Sequence, residues 1–152
     1  MFLRPADTQD LDFLFSDLRD EDRLSLESMG GVDVGRAAAD ELMKHFPHQL
    51  FVNDDGRVAA LWIGIKKWDG LVEIIGYTGN AAEDEIVGFY KASLRGIGYF
   101  SEFLGAHKVE CIVWAGYDRS VKWLERLGFE KEGYMKHHGP DKRDAIMMGR
   151  TC

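Results

Sequence analysis

Two Asp-Gly pairs, Asp55-Gly56 and Asp69-Gly70, divide the middle of the chain into three runs dense in branched and aromatic residues. Asp-Gly readily adopts the positive φ that a tight connection between antiparallel strands requires. Gln49 to Asn53, Arg57 to Lys66 and Leu71 to Thr78 are therefore predicted to lie side by side as consecutive antiparallel strands. A sheet of this kind exposes two faces, and the flanking segments must cover them.

Those segments read as helical. Phe2 to Pro5 is a short first strand, and Asp7-Thr8 can cap a helix carrying Leu11, Phe13, Leu14, Phe15 and Leu18. A second helix begins near Glu21 and breaks at Gly30-Gly31, and a third runs from Val34 to Phe46 before Pro47. After the strands, Ile86, Phe89, Leu94, Ile97, Phe100 and Leu104 recur at helical spacing, which predicts one long helix from Ala82 to Leu104 stopped by Gly105. Lys108 to Ala115 then reads as a strand and Asp118 to Leu127 as a helix. Tyr134 to His138 and Ala145 to Arg150 form a closing pair across Gly139-Pro140. This order describes an α/β (α+β) domain over residues 1–152, in which only the crossover through the long helix makes neighbouring strands parallel.

Composition narrows the partners. A formal charge of -7 opposes the phosphate backbone of nucleic acid and favours a cationic or neutral partner. The longest apolar run, Val58 to Ile65, falls far short of the roughly 20 residues a membrane span needs, and Met1-Phe2-Leu3-Arg4-Pro5 is not a leader. A cytoplasmic protein that binds neither nucleic acid nor membrane is expected. Cys111 and Cys152 lack paired spacing and read as free thiols. Adjacent residues on a strand face opposite ways, so His137-His138 makes a poor chelate, and no metal site is expected there or at His45 and His48.

The most specific segment is Tyr117-Asp118-Arg119-Ser120-Val121-Lys122-Trp123-Leu124-Glu125-Arg126-Leu127-Gly128-Phe129. Gly128 closes the helix, and Phe129 drops an aromatic into the core as the next strand begins. Together with the opening strand Phe2-Leu3-Arg4-Pro5-Ala6 and the element order between, this resembles the GNAT N-acyltransferases over nearly the whole chain. Trp123-Leu124 and the small size look most like GNAT-fold proteins of tailed bacteriophages. The resemblance implies a mixed, mostly antiparallel sheet of about six or seven strands with helices on both faces and a splay between strands four and five.

It also implies a site. Acetyl-CoA would be the cosubstrate, with Ile75, Gly76, Tyr77 and Thr78 presenting backbone to the pantetheine and Gly79 and Asn80 opening a phosphate turn that runs to Asp84. Glu73, in the run Val72-Glu73-Ile74-Ile75, would take a proton from the attacking amine; the other reading places it on a solvated strand face. Three features depart from the family. Ala82-Glu83-Asp84-Glu85 stands where a glycine-rich phosphate turn belongs, Leu124 where a proton-donating Tyr is common, and Tyr117 where an Asn is usual. Tyr117, Tyr77 and Tyr134 are the candidates to replace that acid, and nothing in the sequence selects among them. Arg95-Gly96-Ile97-Gly98 imitates the missing turn but lies within a helical pattern, where its glycines would serve close packing on the sheet.

The function implied is N-acetylation of a primary amine by direct attack, the acceptor being a protein lysine, an N-terminus or a small polyamine. It would bind near Asp20 to Phe46 and the last hairpin. The alternative is a catalytically inactive GNAT-fold phage protein that serves virion assembly or binds a host protein. Monomer and homodimer fit the sequence equally.

Overall fold

The computed structural model describes Met1–Cys152. Its elements are β1 (Phe2–Arg4), α1 (Thr8–Phe15), α2 (Asp20–Ser28), α3 (Val32–His45), β2 (His48–Val52), β3 (Val58–Trp68) and β4 (Leu71–Thr78). They are followed by α4 (Ala81–Asp84), α5 (Ile86–Leu104), β5 (Lys108–Trp114), α6 (Asp118–Arg126), β6 (Glu130–Met135) and β7 (Ala145–Thr151). The seven strands form one sheet in the order β1-β2-β3-β4-β5-β7-β6, antiparallel throughout except at β4 and β5.

Both Asp-Gly turns connect adjacent antiparallel strands, with Gly56 at φ 80 and Gly70 at φ 90. Gly70 has a second reason to be glycine, because a Cβ there would run into the His107 ring. Its carbonyl accepts from the backbone N–H of both His107 and Lys108, which anchors the start of β5 beside β4.

The faces are covered as the periodicity requires. Leu11 and Leu14 of α1 and Ala39 of α3 pack with Leu50, Leu61 and Ile63 on one side, while α5 lays Phe89, Ile97 and Phe100 on the other, against Phe51, Trp62 and Val72. Asp7 caps α1, and Asp10 returns the bond to the Asp7 N–H while holding Arg4 through two contacts of 2.7 Å, tying β1 to α1. Gly96 brings α5 close to the sheet, since a Cβ there would lie 3.2 Å from Phe51 and 3.3 Å from Trp62. Gly98 has no atom near its Cβ position, so only one of the two glycines serves packing. No helix of the chain is long and apolar enough to cross a membrane.

Two boundaries differ most from the sequence reading. The helix expected to run unbroken from Ala82 is split at Glu85, which sits at φ -138, ψ 54. Its carboxylate accepts from the N-terminal ammonium at 2.9 Å and from the Asp54 N–H at 2.9 Å, bonds that tie this residue to two other segments. The penultimate strand begins at Glu130, directly after Phe129, and ends at Met135; His137 at φ 51 belongs to the turn. Its low apolar content hid it, because an edge strand paired only to β7 buries little.

Candidate active site

β4 and β5 pair at Leu71↔Lys108, Val72↔Val109 and Glu73↔Glu110, and there the pairing stops. Each strand keeps its other neighbour: β4 follows β3 up to Thr78↔Ala60, and β5 follows β7 up to Trp114↔Ala145. The sheet therefore forks. The fork opens into a cleft of about 420 Å³ walled by Ile74 and Gly76 on one side and Ile112 and Trp114 on the other. Phe89 and Trp123 form part of its lining and stack on each other, their rings 5.1 Å apart and 6° from parallel.

Alternation along β4 decides which backbone groups face this opening. The Gly79 N–H turns toward β3, to the Ala59 carbonyl, whereas Gly70 and Thr78 bond away from it. Even-numbered positions thus address the cleft, and Ile74 and Gly76 are the residues whose N–H and C=O groups border the open stretch. Ile75 and Tyr77, expected to present backbone here, also line the cleft, but they pair with Ile63 and Leu61 of β3 and direct their main-chain groups to that strand. Their side chains lie on the α1 face, where Tyr77 meets Phe15 with ring centroids 5.1 Å apart.

Thr78, Gly79 and Asn80 are engaged within the protein. The Arg19 N–H donates to the Thr78 carbonyl at 3.0 Å, and the Thr78 N–H donates to the Asp22 carboxylate at 2.9 Å. The Asn80 N–H donates to the Asp17 carbonyl, and its side-chain amide to the Asp17 carboxylate. The segment entering α2 thus covers the far end of the open edge. Arg19 also grips Asp22 at 2.8 Å, yet burial pushes the Asp22 carboxyl above its ordinary range. Across the cleft mouth the Ser120 hydroxyl of α6 donates to the Glu21 carboxylate of α2 at 2.7 Å.

The acidic turn is neutralised residue by residue. Glu83 pairs with Arg119 at 2.8 Å, Asp84 with Arg57 at 2.6 Å, and Glu85 with the N-terminal ammonium. The repulsion of a phosphate that three bare carboxylates would exert is accordingly reduced. Arg19, Asp20, Glu21, Asn80, Glu83 and Arg119 line a small polar hollow beside the turn.

Glu73 lies at the crotch of the fork and lines the cleft, its carboxylate 2.8 Å from the Lys67 ammonium. Hydrogen bonding to Glu73 raises the Lys67 ammonium above its ordinary value. Tyr117 lines the cleft from the start of α6, and its hydroxyl accepts from Arg143 at 3.3 Å. Arg143 also lies over the Trp114 ring, 5.3 Å from its centroid. Tyr134 is outside the cleft and donates to Asp144. Leu124 lines the cleft where the resemblance would place a tyrosine. Burial pushes the Cys111 thiol up to about 12, with the Glu73 and Glu110 charges adding to it.

Sequence reasoning did not single out Arg19, Asp22 of α2 and Ser120 of α6, which line the cleft from distant parts of the chain, or Arg143, which reaches it through Tyr117. Glu110 was more legible, as a lone carboxylate within the apolar run Val109 to Trp114.

No protein-family model matches the sequence, and no curated protein matches it either. Solved structures do. An acetyltransferase of the GNAT family from Bacillus anthracis superposes with a TM-score of 0.76 at 15% identity, over 98% of this chain and 93% of that one. Ribosomal-protein-alanine N-acetyltransferase from Brucella melitensis is similar over 100% of both chains, with 19% identity and a TM-score of 0.74. A GNAT-superfamily phosphinothricin acetyltransferase from Sinorhizobium meliloti, solved in complex with AcCoA, gives 20% identity and a TM-score of 0.69 over 99% of this chain and 87% of that one. At these identities the likeness establishes the fold, which is the GNAT fold.

Proposed function

We propose that this chain is a GNAT-type N-acetyltransferase that moves acetyl from acetyl-CoA to a primary amine by direct attack. The observation that carries this reading is the parting of β4 and β5 after Glu73 and Glu110, which leaves strand backbone unpaired beside a largely apolar cleft. Unpaired strand edges bind extended chains through main-chain hydrogen bonds, and a pantetheine arm is such a chain.

Acetyl-CoA supplies the activated acyl group. Ile74 and Gly76 would hold its amides, and Arg119, Arg19 and the Asn80 side chain would meet its phosphates at the polar hollow. Glu73, held by the Lys67 ammonium at 2.8 Å, would take the proton from the attacking ammonium. The amine nitrogen bonds to the acetyl carbon as the carbon–sulfur bond breaks. Tyr117 would return a proton to the departing thiolate, the Arg143 guanidinium stabilising the phenolate left behind. A covalent acyl-enzyme is not required, since binding both partners in one cleft supplies much of the rate. Cys111, with its thiol pushed to about 12, is a poor nucleophile at neutral pH. The names of the structural neighbours, acetyltransferases for alanine of a ribosomal protein and for phosphinothricin, support an amine acceptor.

Leu124 and the internally bonded Thr78 to Asn80 backbone favour a second reading, a non-catalytic phage protein of the same fold that binds a virion or host protein. Thermal melting separates the two. A ligand at 100 times its dissociation constant adds about 2.7 kcal/mol, which for a chain of this size raises the melting temperature by roughly 5 °C or more. Millimolar acetyl-CoA is expected to produce that rise; an unchanged melting temperature would remove the transferase reading.

A further inference from the structure

Ile74, Gly76 and Thr78 turn main-chain groups to the edge of β4 that β5 leaves open, and the outermost of them is already taken. The Arg19 N–H donates to the Thr78 carbonyl at 3.0 Å, and the Thr78 N–H donates to the Asp22 carboxylate at 2.9 Å. An extended ligand that paired with this edge would offer Thr78 the same two groups, an N–H and a carbonyl oxygen. Arg19 and Asp22 supply them from within the chain, and both line the cleft.

The segment that does this is stretched between two apolar anchors. Leu18 is buried with α1 in the core, and Leu26 packs over Gly35 of α3, where a Cβ would lie 2.6 Å from the leucine side chain. No residue from Arg19 to Ser25 is fully buried. The contacts that tie them to β4 and α6 are polar: the two bonds to Thr78, and the Ser120 hydroxyl on Glu21 at 2.7 Å. Each contributes little net stability, so a ligand that replaces the Thr78 bonds and also buries apolar surface can displace them. Asp22 weakens the closed position further, because burial pushes its carboxyl upward in spite of Arg19.

We propose that Arg19 to Asp22 is an autoinhibitory strap: it fills the outer main-chain position of the open edge, and an acyl-CoA arm must displace it to pair along the whole of β4. The inference rests on the transferase reading for the identity of the ligand, but the opening of the strap can be measured without one. The apparent affinity for acyl-CoA is the affinity of the open form reduced by the fraction of molecules that are open. Opening also releases the Arg19 guanidinium, which Asp22 grips at 2.8 Å, toward the polar hollow. The Ser120–Glu21 bond, which reaches from the strap to α6 across the cleft mouth, is its latch.

Two variants of the full chain test this. Asp22→Ala removes the acceptor on the Thr78 N–H, and Ser120→Ala removes the latch. Without ligand, amide exchange resolved by residue should be about tenfold faster at Thr78 in Asp22→Ala, while Gly79, bonded to Ala59 of β3, stays as it was. Calorimetric titration with acetyl-CoA should give a dissociation constant about tenfold below the wild-type value in Asp22→Ala and about fivefold below it in Ser120→Ala. Ser120→Ala leaves the Thr78 contacts in place, so its result stands even where Asp22→Ala unfolds. In the wild type, saturating acetyl-CoA should speed exchange of the Arg23 N–H, whose acceptor is the Arg19 carbonyl, about fivefold. Unchanged exchange at Thr78 in Asp22→Ala, acetyl-CoA bound no more tightly by either variant than by the wild type, or slower exchange at Arg23 on binding would each overturn the strap and leave the transferase reading standing. Faster Thr78 exchange with acetyl-CoA bound by none of the three proteins does the reverse: the strap remains as a movable cover of the edge, and the transferase reading is removed.

Discussion

Glu73 and Glu110 are Cα partners in the last rung shared by β4 and β5, and every position beyond that rung belongs to an open fork. In the proposed reading, this position sets Glu73, the proton acceptor, beside the unpaired backbone that would hold a thioester arm.

Replacing Glu73 by Gln should lower kcat for acetyl transfer by about 10²- to 10³-fold, the usual contribution of a positioned base. Affinity for acetyl-CoA should stay within about twofold, because the arm is held by backbone. Steady-state kinetics with a primary amine, together with acetyl-CoA titration, measure both. Undiminished kcat would put Glu73 back on a merely solvated strand face.

Ser120→Ala removes the hydroxyl that reaches Glu21 across the cleft mouth. No residue of α2 is fully buried and the helix has no side-chain cap, so its order depends on a few polar contacts such as this one. Loss of about 1 kcal/mol of hydrogen bonding should speed amide exchange in α2 roughly fivefold while global melting barely moves. Exchange at the wild-type rate would show that the Arg19, Asp22 and Thr78 contacts alone hold the segment.

Asp10 makes stability depend on acid. The Arg4 guanidinium, followed by the Asp7 N–H, holds its carboxyl below the ordinary value of 3.8. A carboxyl depressed in the folded state stabilises fully above its unfolded pKa, and that stability is lost as pH falls through the folded one. Asp10→Asn should therefore be less stable than the wild type by about 1–3 kcal/mol at neutral pH, and the gap should close below 3.8. Melting temperatures of both proteins between pH 7 and about 2.5 check this; a gap that persists in acid would assign the effect to the cap alone.

Much of this architecture was legible in the sequence because its signals are local. Asp-Gly turns fix hairpins, and the Leu-Gly-Phe helix end and the spacing from Ile86 to Leu104 reflect single elements meeting the core. Glu73 was singled out by the family resemblance of the run Val72-Glu73-Ile74-Ile75. What stayed hidden depends on contacts between distant segments. The acids from Glu83 to Glu85 looked hostile to phosphate because their cations, Arg119, Arg57 and the N-terminus, come from elsewhere in the chain. Ile75 and Tyr77 line the cleft as expected but turn their main-chain groups to β3, because the direction of a strand's hydrogen bonds depends on its neighbours. Thr78 is bonded by α2, a helix whose approach no periodicity announces.

The most direct test of the fork as an acyl-CoA site is amide exchange along β4, resolved by residue with and without saturating acetyl-CoA. The Ile74 and Gly76 N–H groups face the open edge and should become protected about tenfold or more when a pantetheine arm pairs with them. Ile75 and Tyr77, already turned to β3, should not change. Protection of neither Ile74 nor Gly76, at acetyl-CoA concentrations that saturate any binding, would contradict the account.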